Sequence, residues 1–133
     1  MGTGQAKQST IFLIEEDDET RVVLRQSLTR SGYHLSVAID EEDAMDRVSD
    51  GRMRADMILI NVVGHPVQEI LHMGRRIRER AQLDGNTALV VMAEKYDKDL
   101  EGTDENVGGN DWIFYLGEDP DQLQNFLRRL TPT

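Results

Sequence analysis

The chain has 133 residues, 25 of them acidic and 15 basic, for a formal net charge of −10. This length suits one domain with its own core, and the absence of cysteine excludes disulfides, thiolate catalysis and Cys-ligated zinc. The acidity argues against a basic, phosphate-gripping surface for nucleic acid, and no apolar run approaches the roughly 18–20 residues of a membrane span.

Residues 1–9 are polar and lack the apolar stretch of a signal peptide. They read as a flexible N-terminal segment ahead of one domain over 10–131. The expectation is a soluble, cytoplasmic protein that meets neither membrane nor nucleic acid.

The first apolar run, Ile11 to Ile14, ends abruptly in five acids, Glu15 to Glu19. Such a run fits a strand buried on both faces. Asp17 or Asp18 then caps a helix carrying Val23, Leu24 and Leu28 at helical spacing, and acids suit its positive end. Ser31-Gly32 stops it. Tyr33, Leu35, Val37 and Ile39 alternate as in a half-buried strand. Asp40 caps a second helix, with Ala44, Met45 and Val48, ending near Gly51.

Met57 to Ile60 predicts a third strand, ended by Asn61. Gly64, His65 and Pro66 form a loop into a third helix. Val67, Ile70, Leu71, Met73 and Ile77 make its apolar stripe; Arg75, Arg76, Arg78 and Arg80 read as its solvated side. Ala88 to Met92 is a fourth buried strand. From Glu94 to Gly109 aliphatic residues are scarce, and each glycine lowers helix propensity by about 1 kcal/mol, so the pattern predicts a short or frayed helix. Trp112 to Tyr115 is a fifth strand. Asp119-Pro120 opens a last helix with Pro in its first turn and with Leu123, Phe126, Leu127 and Leu130 as its stripe.

Five strands alternating with helices predict an α/β domain of the doubly wound (βα)5, flavodoxin-like kind. Its five-stranded parallel sheet would carry helices on both faces. Function in such sheets lies at the carboxyl ends of the strands. There stand Glu15, Glu16, Asn61, Met92 and Tyr115.

Those residues carry a resemblance. Ile-Phe-Leu-Ile-Glu-Glu-Asp followed by Arg21, Gly32-Tyr33 with Ala38 and Ala44, Asp56 to Ile60, and Gly108-Gly109-Asn110-Asp111-Trp112 resemble, in order and spacing, the receiver domains of two-component response regulators. The likeness implies a chemotaxis-receiver-like module of bacterial phosphorelay signalling. It would be a signalling partner rather than an enzyme.

The departures define the expectation. The family's phosphoacceptor Asp is here Asn61, whose amide oxygen is a poor nucleophile. The switch hydroxyl is Met92, which donates no hydrogen bond. The paired Lys is Tyr115, so the cation for phosphoryl oxygens is missing. The acidic pocket persists as Glu15 and Glu16, implying at most weak Mg2+ binding as cofactor chemistry. Trp112, at the family's rotamer-switching aromatic, joins Met92 and Tyr115 as degenerate switch positions. For Asn61 the plain reading is a bond to nearby loop backbone, and for His65 a solvated loop side chain.

The reading is a pseudo-receiver that works through protein–protein contacts without aspartyl phosphorylation. Two alternatives stand beside it: a working receiver with another acceptor or with ligand-induced switching, and an unrelated small α/β ligand-binding protein. The second lacks a Gly-rich phosphate loop after the first strand. From Glu94 to Asp121 there are ten acids and two bases, whereas residues 51–80 hold six Arg against three acids. An acidic partner face, with a basic protein as partner, is expected.

Overall fold

The computed structural model describes residues 8–131. Most of the expected N-terminal segment, residues 1–7, lies outside the described residues. The elements run β1 Thr10–Glu15, α1 Asp18–Arg30, β2 His34–Ala38, α2 Glu41–Val48, β3 Met57–Asn61, α3 Val67–Arg80, β4 Ala88–Ala93, β5 Asp104–Asn106, β6 Asp111–Tyr115 and α4 Pro120–Leu130. Among the described residues no helix is long and apolar enough to cross a membrane.

Helix starts follow local chemistry. Asp17, Asp40 and Asp119 each accept a backbone N–H of the first turn, at Thr20, Asp43 and Asp121. Pro66 begins α3 with no side-chain cap.

The sheet order is β2-β1-β3-β4-β6-β5. Five strands pair in parallel, and successive side chains face opposite layers. Phe12, Ile14, Ile58, Ile60, Leu89 and Val91 pack under α2 and α3. Ile11, Leu13, Met57, Leu59, Val90 and Phe114 pack under α1 and α4. Helices thus cover both faces of a doubly wound, flavodoxin-like sheet. Gly74 lets α3 sit close, since a Cβ there would press on Leu89 and Ile60.

The expected five-stranded, all-parallel sheet is corrected in one respect. No α-helix stands between β4 and β6. A single 3-10 turn, Lys98–Leu100, leads into β5, which pairs antiparallel with β6 as a sixth, edge strand. The reason is local. Few aliphatic side chains are present to bury a helix face, and Gly108 and Gly109 both take positive φ, at 124° and 52°. Two consecutive residues of that kind build a hairpin turn, closed by Val107 N–H donating to Asp111 O at 2.9 Å. Arg129 of α4 pairs with Asp104 and fastens the hairpin to the helix layer.

The arginines of α3 also differ from a solvated face. Arg75 Nε and Arg78 Nη1 donate to the two carboxylate oxygens of Asp111, at 2.8 and 2.6 Å. Asp111 is buried at the foot of β6. Burial pushes its carboxyl up, but the bonds from Arg78 and Arg75 prevail and hold it below the usual aspartate range. Arg78 also donates to Thr87 O. Two of the four arginines therefore bolt α3 to the sheet at the end opposite the crevice.

Candidate functional site

β1 and β3 are neighbours, and their register sets Glu15 directly opposite Asn61. Both are last residues of their strands, at the point where the strand order reverses, where a doubly wound sheet leaves its crevice. Both are buried. Asn61 Nδ2 donates to Glu15 Oε1 at 2.6 Å, and Asp17 N–H donates to Glu15 Oε2 at 3.1 Å. Asn61 Oδ1 has no partner among protein atoms. The expected bond from Asn61 to loop backbone is thus replaced by one to a carboxylate, because register puts Glu15 nearer than the loop. Arg21 Nη1 donates to the Glu15 main-chain oxygen at 2.9 Å, tying α1 to the strand end.

Burial pushes the Glu15 carboxyl above its ordinary range. The bonds from Asp17 N–H and Asn61 pull the other way, and the charges of Glu94 and Asp17 push up again. The pocket therefore favours a proton or a hydrogen-bond donor on Glu15.

Glu16 is parted from Glu15. Its side chain is exposed and lines a different cavity, between α2 and α3. A hard divalent ion wants several oxygens converging on one point. Here one carboxylate is sealed by two donors, the next points elsewhere, and the third position is a neutral amide. Among the described residues no group of three or more His, Asp or Glu side chains could hold a metal ion. The donors do not fit Mg2+.

Met92 is buried at the end of β4. It borders a small cavity, about 70 Å3, with Val62, Ile70, Glu94 and Lys95. Lys95 is a crevice cation that the sequence reading passed over; it lies three residues beyond Met92, outside the strand pattern used to find candidates. Tyr115 is half-buried. Its hydroxyl donates to Glu105 Oε1 at 2.6 Å, and its ring meets Tyr96 edge-on at 5.3 Å. The Glu105 bond, then burial, raises its phenol to about 12. Tyr96 in turn donates to Leu116 O. Tyr96, missed in the sequence because its partners Tyr115 and Leu116 are 19 and 20 positions away, closes this corner.

Trp112 lies on the other face. It packs edge-on against Phe126 at 5.7 Å, and its Nε1 donates to Asn110 at 3.0 Å. Trp112 and Tyr115 do not share a surface, since β6 turns them to opposite layers. His65 is exposed, with Nδ1 at 3.5 Å from Glu69.

No protein-family model matches the chain. It is 35% identical over 74 residues to the transcriptional regulatory protein AfsQ1 of Streptomyces coelicolor, covering 56% of this chain and 32% of that protein. It is 29% identical over 126 residues to the response regulator MprA of Mycolicibacterium vanbaalenii, covering 92% of this chain and 52% of that one. The chain therefore spans about half or less of the curated relatives it matches. Among solved structures it is similar to the receiver domain of sensor histidine kinase PA1611 from Pseudomonas aeruginosa, which holds a magnesium ion in its active-site cleft. That match has a TM-score of 0.65 at 22% identity, over 93% of this chain and 98% of the other. With its added edge strand, the chain carries the receiver fold of response regulators.

Proposed function

We propose that this chain is a receiver module of two-component signalling that is not switched by aspartyl phosphorylation and that acts through contacts with a protein partner. The observation that carries the reading is the buried Asn61–Glu15 bond. A neutral amide fills the acceptor position and occupies the carboxylate that would otherwise help hold a metal. Met92 brings a thioether, and Tyr115 a phenol already bonded to Glu105. No nucleophile, metal cradle or phosphoryl-facing hydroxyl is assembled at these positions. The same reading makes the module a non-enzyme of the cytoplasm.

The partner surface is the acidic segment from Glu94 to Asp121, for which a basic protein is the complement. Eight of its ten acids are exposed. The test is incubation with acetyl phosphate and Mg2+, read by intact mass. The expected result is an unchanged mass; an adduct of phosphoryl size on an acidic side chain would overturn the proposal. Binding to a basic partner is expected to weaken steeply with salt.

A further inference from the structure

A cavity of about 440 Å3 lies between the start of α2, the first turns of α3 and the loops after β1 and β3. Small-molecule sites run from roughly 300 to 1,000 Å3. The floor is apolar: Val62, Ile70 and Met73 are all buried. Around it stand Glu16, Glu41 and Glu69, with Arg76 and two histidines. Arg76, the one guanidinium in this lining, is already spent on Glu41 across the gap between α2 and α3. Glu16 makes no ion pair among the described residues, and Glu69 has the side-chain nitrogen of His65 at 3.5 Å. With histidines counted as neutral, three carboxylates face one cation.

This lining selects its ligand by exclusion. An anion would meet the Glu16 carboxylate, which has no ion pair among the described residues, and the exposed Glu69 carboxylate beside it. A neutral apolar molecule would strip water from them with nothing in return. A cationic head on a short apolar stem satisfies both parts, its stem on the Val62, Ile70 and Met73 floor and its head toward Glu16 and Glu69. We propose that this cavity binds a small alkylguanidinium or alkylammonium cation. Glu15 and Asn61 do not line it; it adjoins the degenerate crevice, sharing Val62, His65 and Ile70 with the small cavity beside Met92, and does not depend on the receiver reading.

The test is an NMR titration of the full chain at neutral pH with n-butylguanidinium, beside the uncharged n-butylurea. The expected result is saturable shifts at Glu16, Val62, Ile70 and Met73, with the urea at least about tenfold weaker. Exchanging Glu16→Gln together with Glu69→Gln, both exposed, is expected to weaken the guanidinium about tenfold or more. His72→Trp, also at an exposed position, fills the cavity and abolishes saturation while the thermal melt stays in place. A blocked arginine tripeptide identifies the source: equal affinity makes the cation a partner's side chain, and much weaker affinity makes it a free small molecule. Equal binding of guanidinium and urea, no saturation, or saturation mapped instead to residues 94–121 overturns the proposal.

Discussion

Asn61→Asp is the sharpest perturbation of the crevice. Asn61 Nδ2 lies 2.6 Å from Glu15 Oε1, and both residues are buried. The exchange replaces a donor with a second carboxylate. Two carboxylates at that distance cannot both ionise, so one proton is retained by the pair. Holding a carboxyl protonated costs about 1.4 kcal/mol per pH unit above its ordinary pKa near 4. At pH 7 this amounts to about 4 kcal/mol, and relaxation of the site reduces it to roughly 2–4 kcal/mol. For a chain of this length that is a fall in Tm of roughly 6–15 °C.

The sign with pH follows from linkage. The pair in the folded variant has a pKa above its unfolded value, so the folded state binds more protons, and stability falls as pH rises from about 4 toward the raised pKa. Thermal melts of wild type and variant across that range should therefore converge at low pH and separate at neutral pH. Millimolar Mg2+ should restore part of the variant's Tm, because a cation between two carboxylates replaces the shared proton. Wild type, with its amide in place, should not respond. A variant as stable as wild type at neutral pH and indifferent to Mg2+ would refute the reasoning that Glu15 and position 61 form one closed, buried pair.

Other perturbations probe the remaining contacts. Glu15→Gln removes the charge that burial disfavours, so its stability should no longer decline as pH rises above about 4.5; pH-dependent melts that still match wild type would contradict this. Asp111→Asn leaves Arg75 and Arg78 without their carboxylate. It should cost about 2–3 kcal/mol in urea unfolding, less than a fully buried pair because Arg75 is partly exposed. Since the folded Asp111 pKa is depressed, its contribution is present above the ordinary aspartate range and lost as pH falls, so the variant's acid limb should be flatter. In an ultraviolet titration a tyrosine component should appear near 12, and Tyr115→Phe should delete it; a component near 12 that survives the exchange would show that Glu105 does not hold the phenol. Gly109→Val forces a β-branched residue to positive φ and should cost at least about 1 kcal/mol, loosening amide exchange protection in β5 first.

The parallel core was legible because its signals are local and strong. Ile11 to Ile14, Met57 to Ile60 and Ala88 to Met92 are continuous apolar runs that fit only a sheet covered on both faces. Asp17, Asp40 and Asp119 mark helix starts by a side-chain bond three residues long or less. From Glu94 to Gly109 the pattern predicts a short or frayed helix, and the structure keeps only the 3-10 turn Lys98–Leu100 before an edge strand. Its residues are too poor in aliphatics to cover a helix face, and the positive φ of Gly108 and Gly109 that turns the chain into a hairpin is visible only in the structure. In the crevice, strand ends located Glu15 and Asn61, but periodicity carries no register. That Glu15 faces Asn61 while Glu16 turns to another cavity follows from the parallel pairing of β1 and β3, which the sequence does not display. The bonds of Asp111 to Arg75 and Arg78 span 36 and 33 positions and were equally hidden.

The hairpin in place of a helix changes what the acidity does. An edge strand offers unpaired backbone groups to any other strand, and short length and charge are the usual protection. β5 is three residues long and holds Asp104 and Glu105. Both acids have internal work: Asp104 is paired with Arg129, and Glu105 accepts the Tyr115 hydroxyl. Asp111 is spent on α3. On the proposed reading, recognition by charge would fall to the exposed acids on either side, Glu94 to Glu101 before the hairpin and Glu118 to Asp121 at the start of α4. A basic partner reading this surface would meet two acidic rims flanking a strand edge that resists pairing, so its contacts would be made by side chains rather than by an added strand.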